Sequence, residues 1–179
     1  FTYSINKLSI MKKKIAILGS TGSIGESTLD IIKKDKNNFD VILLSANNNY
    51  KKLIKQAKDV KAKNVLIRNN IFYDKLKSSL KNTHTKVYAG NVSIDKIVSK
   101  KLDYTMSSIV GIAGLEPTLE AIKNSKTVAI ANKESIICAW NLISKEIKKN
   151  KTLILPVDSE HFSIKELTKD VTDNEVEEV

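Results

Sequence analysis

Three clusters in this sequence combine residue types able to do chemistry, and each follows a short apolar run. Gly19-Ser20-Thr21-Gly22-Ser23-Ile24-Gly25 lies between such a run and an amphipathic stretch. Glycines at that junction let an anion reach the backbone amides of a helix N-terminus, where Cβ atoms would hold it away. A nucleotide pyrophosphate fits that chemistry, and the GxxGxxG spacing is a variant of the GxGxxG dinucleotide fingerprint. A tight turn without a ligand is the alternative reading. Ala131-Asn132-Lys133-Glu134-Ser135 places an amide, an ammonium and a carboxylate at a strand-to-helix turn. Asn132 could serve simply as a helix cap with Glu134 in the first turn, whereas Lys133 is unfavourable there unless an anion meets it. Pro156-Val157-Asp158-Ser159-Glu160-His161 brings two carboxylates at i and i+2. On an extended segment both point the same way, as a hard divalent cation such as Mg²⁺ requires; solvation of a loop is the other reading.

Two further stretches bear on the ligand. Ser45-Ala46-Asn47-Asn48-Asn49 stands at the end of the second apolar run, where an acidic side chain would accept from the ribose 2′-hydroxyl of NAD. With no carboxylate there to repel a 2′-phosphate, and with Lys51 and Lys52 nearby, the sequence favours NADPH over NADH. Gly111, Gly114 and Pro117 mark a second backbone-permissive loop, with a helix expected over about Pro117 to Lys123 because proline suits a helix start.

The elements that must position these residues are legible as apolar runs alternating with amphipathic stretches. The runs are Ile15 to Leu18, Val41 to Ala46, Val65 to Ile67, Val87 to Ala89, Tyr104 to Val110, Val128 to Ala131 and Leu153 to Leu155. Being nearly continuous, they read as strands buried on both faces. Leu53, Ile54 and Ala57, then Ile94, Ile97 and Val98, fall at helical spacing. The pattern predicts an α/β fold, a doubly wound, mostly parallel Rossmann-like sheet of six or seven strands with helices on both faces. Residues 1–11 read as a leader remnant or a disordered segment, 12–157 as the dinucleotide-binding domain, and 158–179 as the start of a second, divergent domain with a poorly packed tail.

Composition narrows the partners. The chain has 179 residues, 41% hydrophobic and 28% charged, which suits one sizeable core. Its net charge of +10 is almost all lysine, Arg68 being the only arginine. That charge attracts phosphates or forms a solvated surface. Ten aromatic residues that do not interleave with the basic runs argue against a nucleic-acid groove. No apolar run approaches the length of a membrane span, and the single Cys138 offers neither a disulfide framework nor a cysteine metal site. Other NADP-dependent dehydrogenases, or a non-enzymatic basic nucleotide-binding module, fit the same composition.

Taken together, GSTGSIG, ANKES and PVDSEH, with IVGIAGLEPTLEAI between the first two, resemble the 1-deoxy-D-xylulose 5-phosphate reductoisomerase family over about Lys14 to His161. The resemblance implies NADPH and Mg²⁺ or Mn²⁺ as cofactors and a sugar-phosphate substrate. The reaction it implies forms 2-C-methyl-D-erythritol 4-phosphate in non-mevalonate isoprenoid biosynthesis. By motif position, Gly19, Thr21, Gly22, Ser23 and Ile24 would hold the NADPH phosphates. Asn47, Asn48 and Asn49 would lie along its adenosine ribose, and Asn132 and Glu134 would complete the cofactor site. Lys133 and Ser159 would contact substrate, Asp158 and Glu160 would ligate metal, and Lys133 and Glu160 are the catalytic candidates. Many members have Gly-Lys-Asn where this chain has Asn47-Asn48-Asn49, so a positive contact to the 2′-phosphate is missing or comes from Lys51 or Lys52. The family continues past PVDSEH into a catalytic domain, whereas this sequence runs on through Phe162-Ser163-Ile164-Lys165-Glu166. It is therefore expected to be a truncated chain that binds cofactor without turnover, from a homodimeric parent. A plastid-type organelle such as an apicoplast is the expected compartment in a eukaryote, and the cytoplasm otherwise.

Overall fold

The computed structural model describes residues 11–169, except the side chains of Glu160 and His161. Apart from Met11, the expected leader lies outside the described residues, as does the acidic end of the chain. The seven apolar runs form seven strands: β1 (Lys13–Leu18), β2 (Phe39–Ala46), β3 (Asn64–Ile67), β4 (Lys86–Ala89), β5 (Leu102–Ser107), β6 (Ser125–Ile130) and β7 (Leu153–Pro156). The helices are α1 (Ser23–Lys34), α2 (Tyr50–Val60), α3 (Tyr73–Ser79), α4 (Ile94–Ile97), α5 (Leu115–Asn124), α6 (Lys133–Asn150) and α7 (Ser159–Thr168). All strand pairs are parallel, in the order β4-β3-β2-β1-β5-β6-β7.

Continuous apolar strands feed two cores, one on each face of the sheet. Ile15 and Ile17 of β1 pack with Leu29 and Ile32 of α1, Leu53 and Ala57 of α2 and Leu76 of α3. Ala16 and Leu18 turn the other way, towards Ile94 of α4, Ala121 and Ile122 of α5 and Ile143 of α6. The expected doubly wound Rossmann-like sheet is therefore the observed one. Each fully buried leucine contributes about 1.5–3 kcal/mol through area removed from water.

One irregularity sets the register at the carboxyl edge of the sheet. Ile15 pairs with Val41 but Ala16 pairs with Leu43, so β2 carries one extra residue. Val41 and Leu44 consequently face one core while Ile42 and Leu43 both face the other. Such a bulge re-aims the strand beyond it, and here it brings Ser45 opposite Leu18, just before the glycine loop. The strand order reverses direction between β1 and β5, and crevices for ligands open at such a switch, beyond the carboxyl ends of the strands.

Several boundaries differ from the sequence expectation. β5 ends at Ser107, because Ser108 turns to donate both its amide (3.0 Å) and its hydroxyl (2.7 Å) to Leu18 O. Ile109 and Val110 thus belong to a loop. Helix α5 begins two residues before Pro117, which stands in the first turn, where a missing amide hydrogen costs nothing. Beyond β7, the first part of the segment expected to be a poorly packed tail is helical, as α7, with its described side chains mostly exposed. That helix also corrects the argument for Asp158 and Glu160: it starts at Ser159, between them, so the two are not successive same-side positions of a strand.

Candidate functional site

The glycine loop is braced from below. Gly19 has φ +80°, a conformation that disfavours side chains, and a Cβ there would meet Ser108 O at 2.8 Å. The amides of Gly19 and Ser20 donate to Ser45 O at 3.1 and 2.8 Å. Buried Ser20 donates its hydroxyl to Gln56 Oε1 and accepts the Gln56 amide at its carbonyl, both at 2.8 Å. Lys52 donates to Thr21 O at 3.2 Å and pairs with Glu26 at 2.7 Å. At Gly25 a Cβ would lie 2.5 Å from Gly19 O and 2.6 Å from Ser20 Cα. Neither Gly19 nor Gly25 can therefore be replaced without disturbing the backbone.

Gly22 is different. Its φ is −82°, and a Cβ would meet only Gly19 O, at an ordinary 3.5 Å. It caps α1 with no side-chain hydrogen bond, which leaves the first-turn amides of this helix to another acceptor. Thr21 is half-buried, while Gly22, Ser23 and Ile24 are exposed beside the cleft.

That cleft, a cavity of about 270 Å³, is bounded by Gly19, Thr21 and Gly22, by Ser45 to Asn47, by Leu66 and Arg68, and by Ser108 to Val110 with Pro117 and Glu120. It occupies the crevice at the β1/β5 switch. Asn47 lines it, whereas Asn48 accepts from Asn69 Nδ2 (2.9 Å) and Asn49 caps α2 by accepting from the Lys52 amide (3.1 Å). The sequence reading passed over Arg68, which reaches Glu116 Oε2 at 3.0 Å, and Gln56. Arg68 had one available signal, its place directly after the third apolar run; Gln56 had none, since its partner lies 36 residues away. On the opposite wall Glu120 accepts from the Ile94 amide at 2.9 Å. Burial lifts its carboxyl above the usual range; the Ile94 hydrogen bond opposes this, and the charges of Glu116 and Asp95 add to it.

Asn132 is 1% exposed and its hydrogen bonds are spent within the protein. Its Nδ2 donates to Ile109 O (2.5 Å) and Gly111 O (2.7 Å), and its Oδ1 accepts from the Ser135 amide (2.9 Å). It therefore both caps α6 and holds the loop that forms the cleft wall, and a Cβ on Gly114 would collide with it. Lys133 and Glu134 stand exposed in the first turn of α6. Asp158, half-buried, and exposed Ser159 follow β7, further along the same carboxyl edge. Among the described residues, no group of three or more His, Cys, Asp or Glu side chains is placed to hold a metal; the side chain of Glu160, the other expected ligand, lies outside them.

A family model described as 1-deoxy-D-xylulose 5-phosphate reductoisomerase matches residues 15–140. The protein of that name from Pelagibacter ubique is 53% identical over 169 residues, covering 93% of this chain and 44% of its own length. The solved reductoisomerase from Zymomonas mobilis, in complex with NADPH, superposes with a TM-score of 0.80 at 41% identity, covering 84% of this chain and 40% of that one. A DOX-P reductoisomerase solved with NADPH, fosmidomycin and magnesium gives a TM-score of 0.77 at 35% identity, over 83% of this chain and 37% of the other. The chain thus spans less than half the length of these relatives. With a match over most of its residues, a shared sheet and a glycine loop at the switch point, it belongs to the 1-deoxy-D-xylulose 5-phosphate reductoisomerase family.

Proposed function

We propose that this chain binds NADPH in the cleft at the β1/β5 switch, as the cofactor-binding part of an enzyme that converts 1-deoxy-D-xylulose 5-phosphate to 2-C-methyl-D-erythritol 4-phosphate. Gly22 carries the reading. Two of the three loop glycines answer to internal crowding, but Gly22 has room for a side chain and faces the cleft at a helix end lacking a side-chain cap. A pyrophosphate on those amides supplies the reason for glycine there.

Thr21, Ser23 and Ile24 would line the pyrophosphate and Asn47 the adenosine ribose, with Asn48 and Asn49 shaping that loop through their own hydrogen bonds. Asn132 would act by holding the Ile109–Gly111 wall, and Glu134 by its place at the start of α6. Bound NADPH would supply a hydride, and a divalent metal would polarise substrate oxygens. Lys133 and Ser159 would contact the sugar phosphate, and Asp158 and Glu160 would offer carboxylates to magnesium or manganese. Support for magnesium comes from relatives solved with it.

The test is a fluorescence titration of the 179-residue chain with NADPH and with NADH, for the parent sequence and for Gly22→Ala. Saturable binding that prefers NADPH is expected. The variant should keep its melting temperature and lose at least about tenfold in affinity, because the added methyl lies where the anion must approach. Equal affinity in parent and variant would defeat the proposal.

A further inference from the structure

The cleft has a wall that the glycine loop does not account for. Arg68 follows β3 directly, its amide donating to Ala46 O (2.9 Å), and the next amide, of Asn69, donates to Asn47 O (3.1 Å). This register sets Arg68 beside the end of β2, where the adenosine ribose lies when a pyrophosphate occupies the loop. Among the described residues that line the cleft, Arg68 is the one basic side chain. Of the two lysines that the sequence offers for a 2′-phosphate, Lys52 bridges Glu26 and Thr21 O, and exposed Lys51 does not line the cleft.

Arg68 does not point idly into solvent. Its guanidinium donates to Glu116 Oε2 at 3.0 Å, the side chains being 37% and 70% exposed. An ion pair so open to water holds its partners only weakly. A guanidinium facing a phosphate dianion instead forms a forked, charge-assisted pair that is among the stronger polar contacts in proteins. Glu116, already largely in water, loses little when released. We infer that Arg68 selects NADPH over NADH by exchanging Glu116 for the adenosine 2′-phosphate. This rests on the NADPH reading of the cleft, and it assigns the positive contact that Asn47-Asn48-Asn49 does not provide. Without the cofactor, the guanidinium keeps only this weak pair with Glu116. An NADH ribose, having no phosphate, leaves the ion pair as it is.

The experiment titrates the full chain with NADPH and NADH and with the fragments 2′,5′-ADP and 5′-AMP. It compares the parent sequence with Arg68→Gln, Arg68→Lys and Glu116→Gln, each first checked by a thermal melt. Arg68→Gln should weaken NADPH and 2′,5′-ADP by about tenfold or more while NADH and 5′-AMP change by less than about twofold, because only the forked phosphate contact is lost. Arg68→Lys should restore part of the loss, and Glu116→Gln should tighten NADPH but not NADH by removing the competitor. An Arg68→Gln variant that weakens all four ligands equally would make the residue a structural clasp and overturn the inference, as would an unchanged preference for NADPH. If the parent chain binds neither NADPH nor 2′,5′-ADP, the reading of the cleft itself fails and the inference falls with it. Binding of both by the parent, with the preference intact in Arg68→Gln, would refute only the role of Arg68.

Discussion

The two ends of the sheet's carboxyl edge are finished in different ways. Around β1, β2 and β3 the loop residues are tied down by buried groups: Ser20 to Gln56, Gly19 to Ser45 and Ser108 to Leu18. Around β6 and β7 Asn132 is likewise spent on three partners, but several apolar side chains face outward. Ile137, Trp140 and Leu142 of α6 and Phe162 and Leu167 of α7 are all exposed, Leu167 to 78%. Helix α6 also breaks its regular conformation at Ala139, where φ is −137°. The glycine-loop end is thus shaped by its own core, whereas the other end presents candidate site residues from helices that carry apolar side chains the described residues leave uncovered.

The sharpest test of this contrast pairs one core residue with one outward-facing residue. Leu53→Ala, at a fully buried position of α2, should cost about 2–5 kcal/mol in urea unfolding. Trp140→Ala should stay within about 0.5 kcal/mol despite deleting a larger side chain. A comparable loss at both positions would break the comparison. Gly25→Ala should destabilise by about 1–3 kcal/mol or more, because its methyl collides with backbone and not with a flexible side chain. Gly22→Ala, three residues earlier, should leave stability alone and affect only NADPH. Similar melting temperatures for the two glycine variants would show that the loop's crowding does not discriminate between them.

The smallest effect is expected at Glu120, between the two ends. Its carboxyl is raised above the usual range, mainly by burial, so folding disfavours the ionised form. The wild-type chain carries that penalty once the pH exceeds the ordinary glutamate range and is free of it below, where the group is neutral in both folded and unfolded states. Glu120→Gln, which can still accept from the Ile94 amide, should therefore raise the melting temperature near neutral pH by about 1–2 °C, solvent screening keeping the effect small. The gain should vanish as the pH falls through the glutamate range. A gain that is constant with pH would point to packing instead of charge.

Most of the sheet was legible because strands buried on both faces cannot hide their apolar runs, and all seven appeared in order. The glycine loop was legible for a related reason, since its backbone needs show directly as residue type. The end of β5 was misread, because Ile109 and Val110 continue an apolar run while serving as a loop wall. Helix α7 was missed because its apolar residues face outward and leave little periodic signal against a core. The assignments that depended on tertiary partners were the least accessible. No local pattern announces the ties of Lys52 to Glu26 and Thr21 or those of Asn132 to Ile109 and Gly111. Arg68 gained its meaning only when the register of β2 and β3 placed it beside Asn47.

The contact between Leu18 and Ser108 has a consequence for how the chain acquires its site. Ser108 lies 90 residues beyond Leu18, and β1 has both its neighbours only after β5 has joined it. Contacts so distant in sequence form slowly, because the entropy of closing the intervening loop is lost before the contact compensates for it. The glycine stretch, though contiguous, is therefore expected to take its final shape late in folding. A nascent chain paused before β5 would display the whole GSTGSIG sequence and still lack the wall against which Gly19 turns.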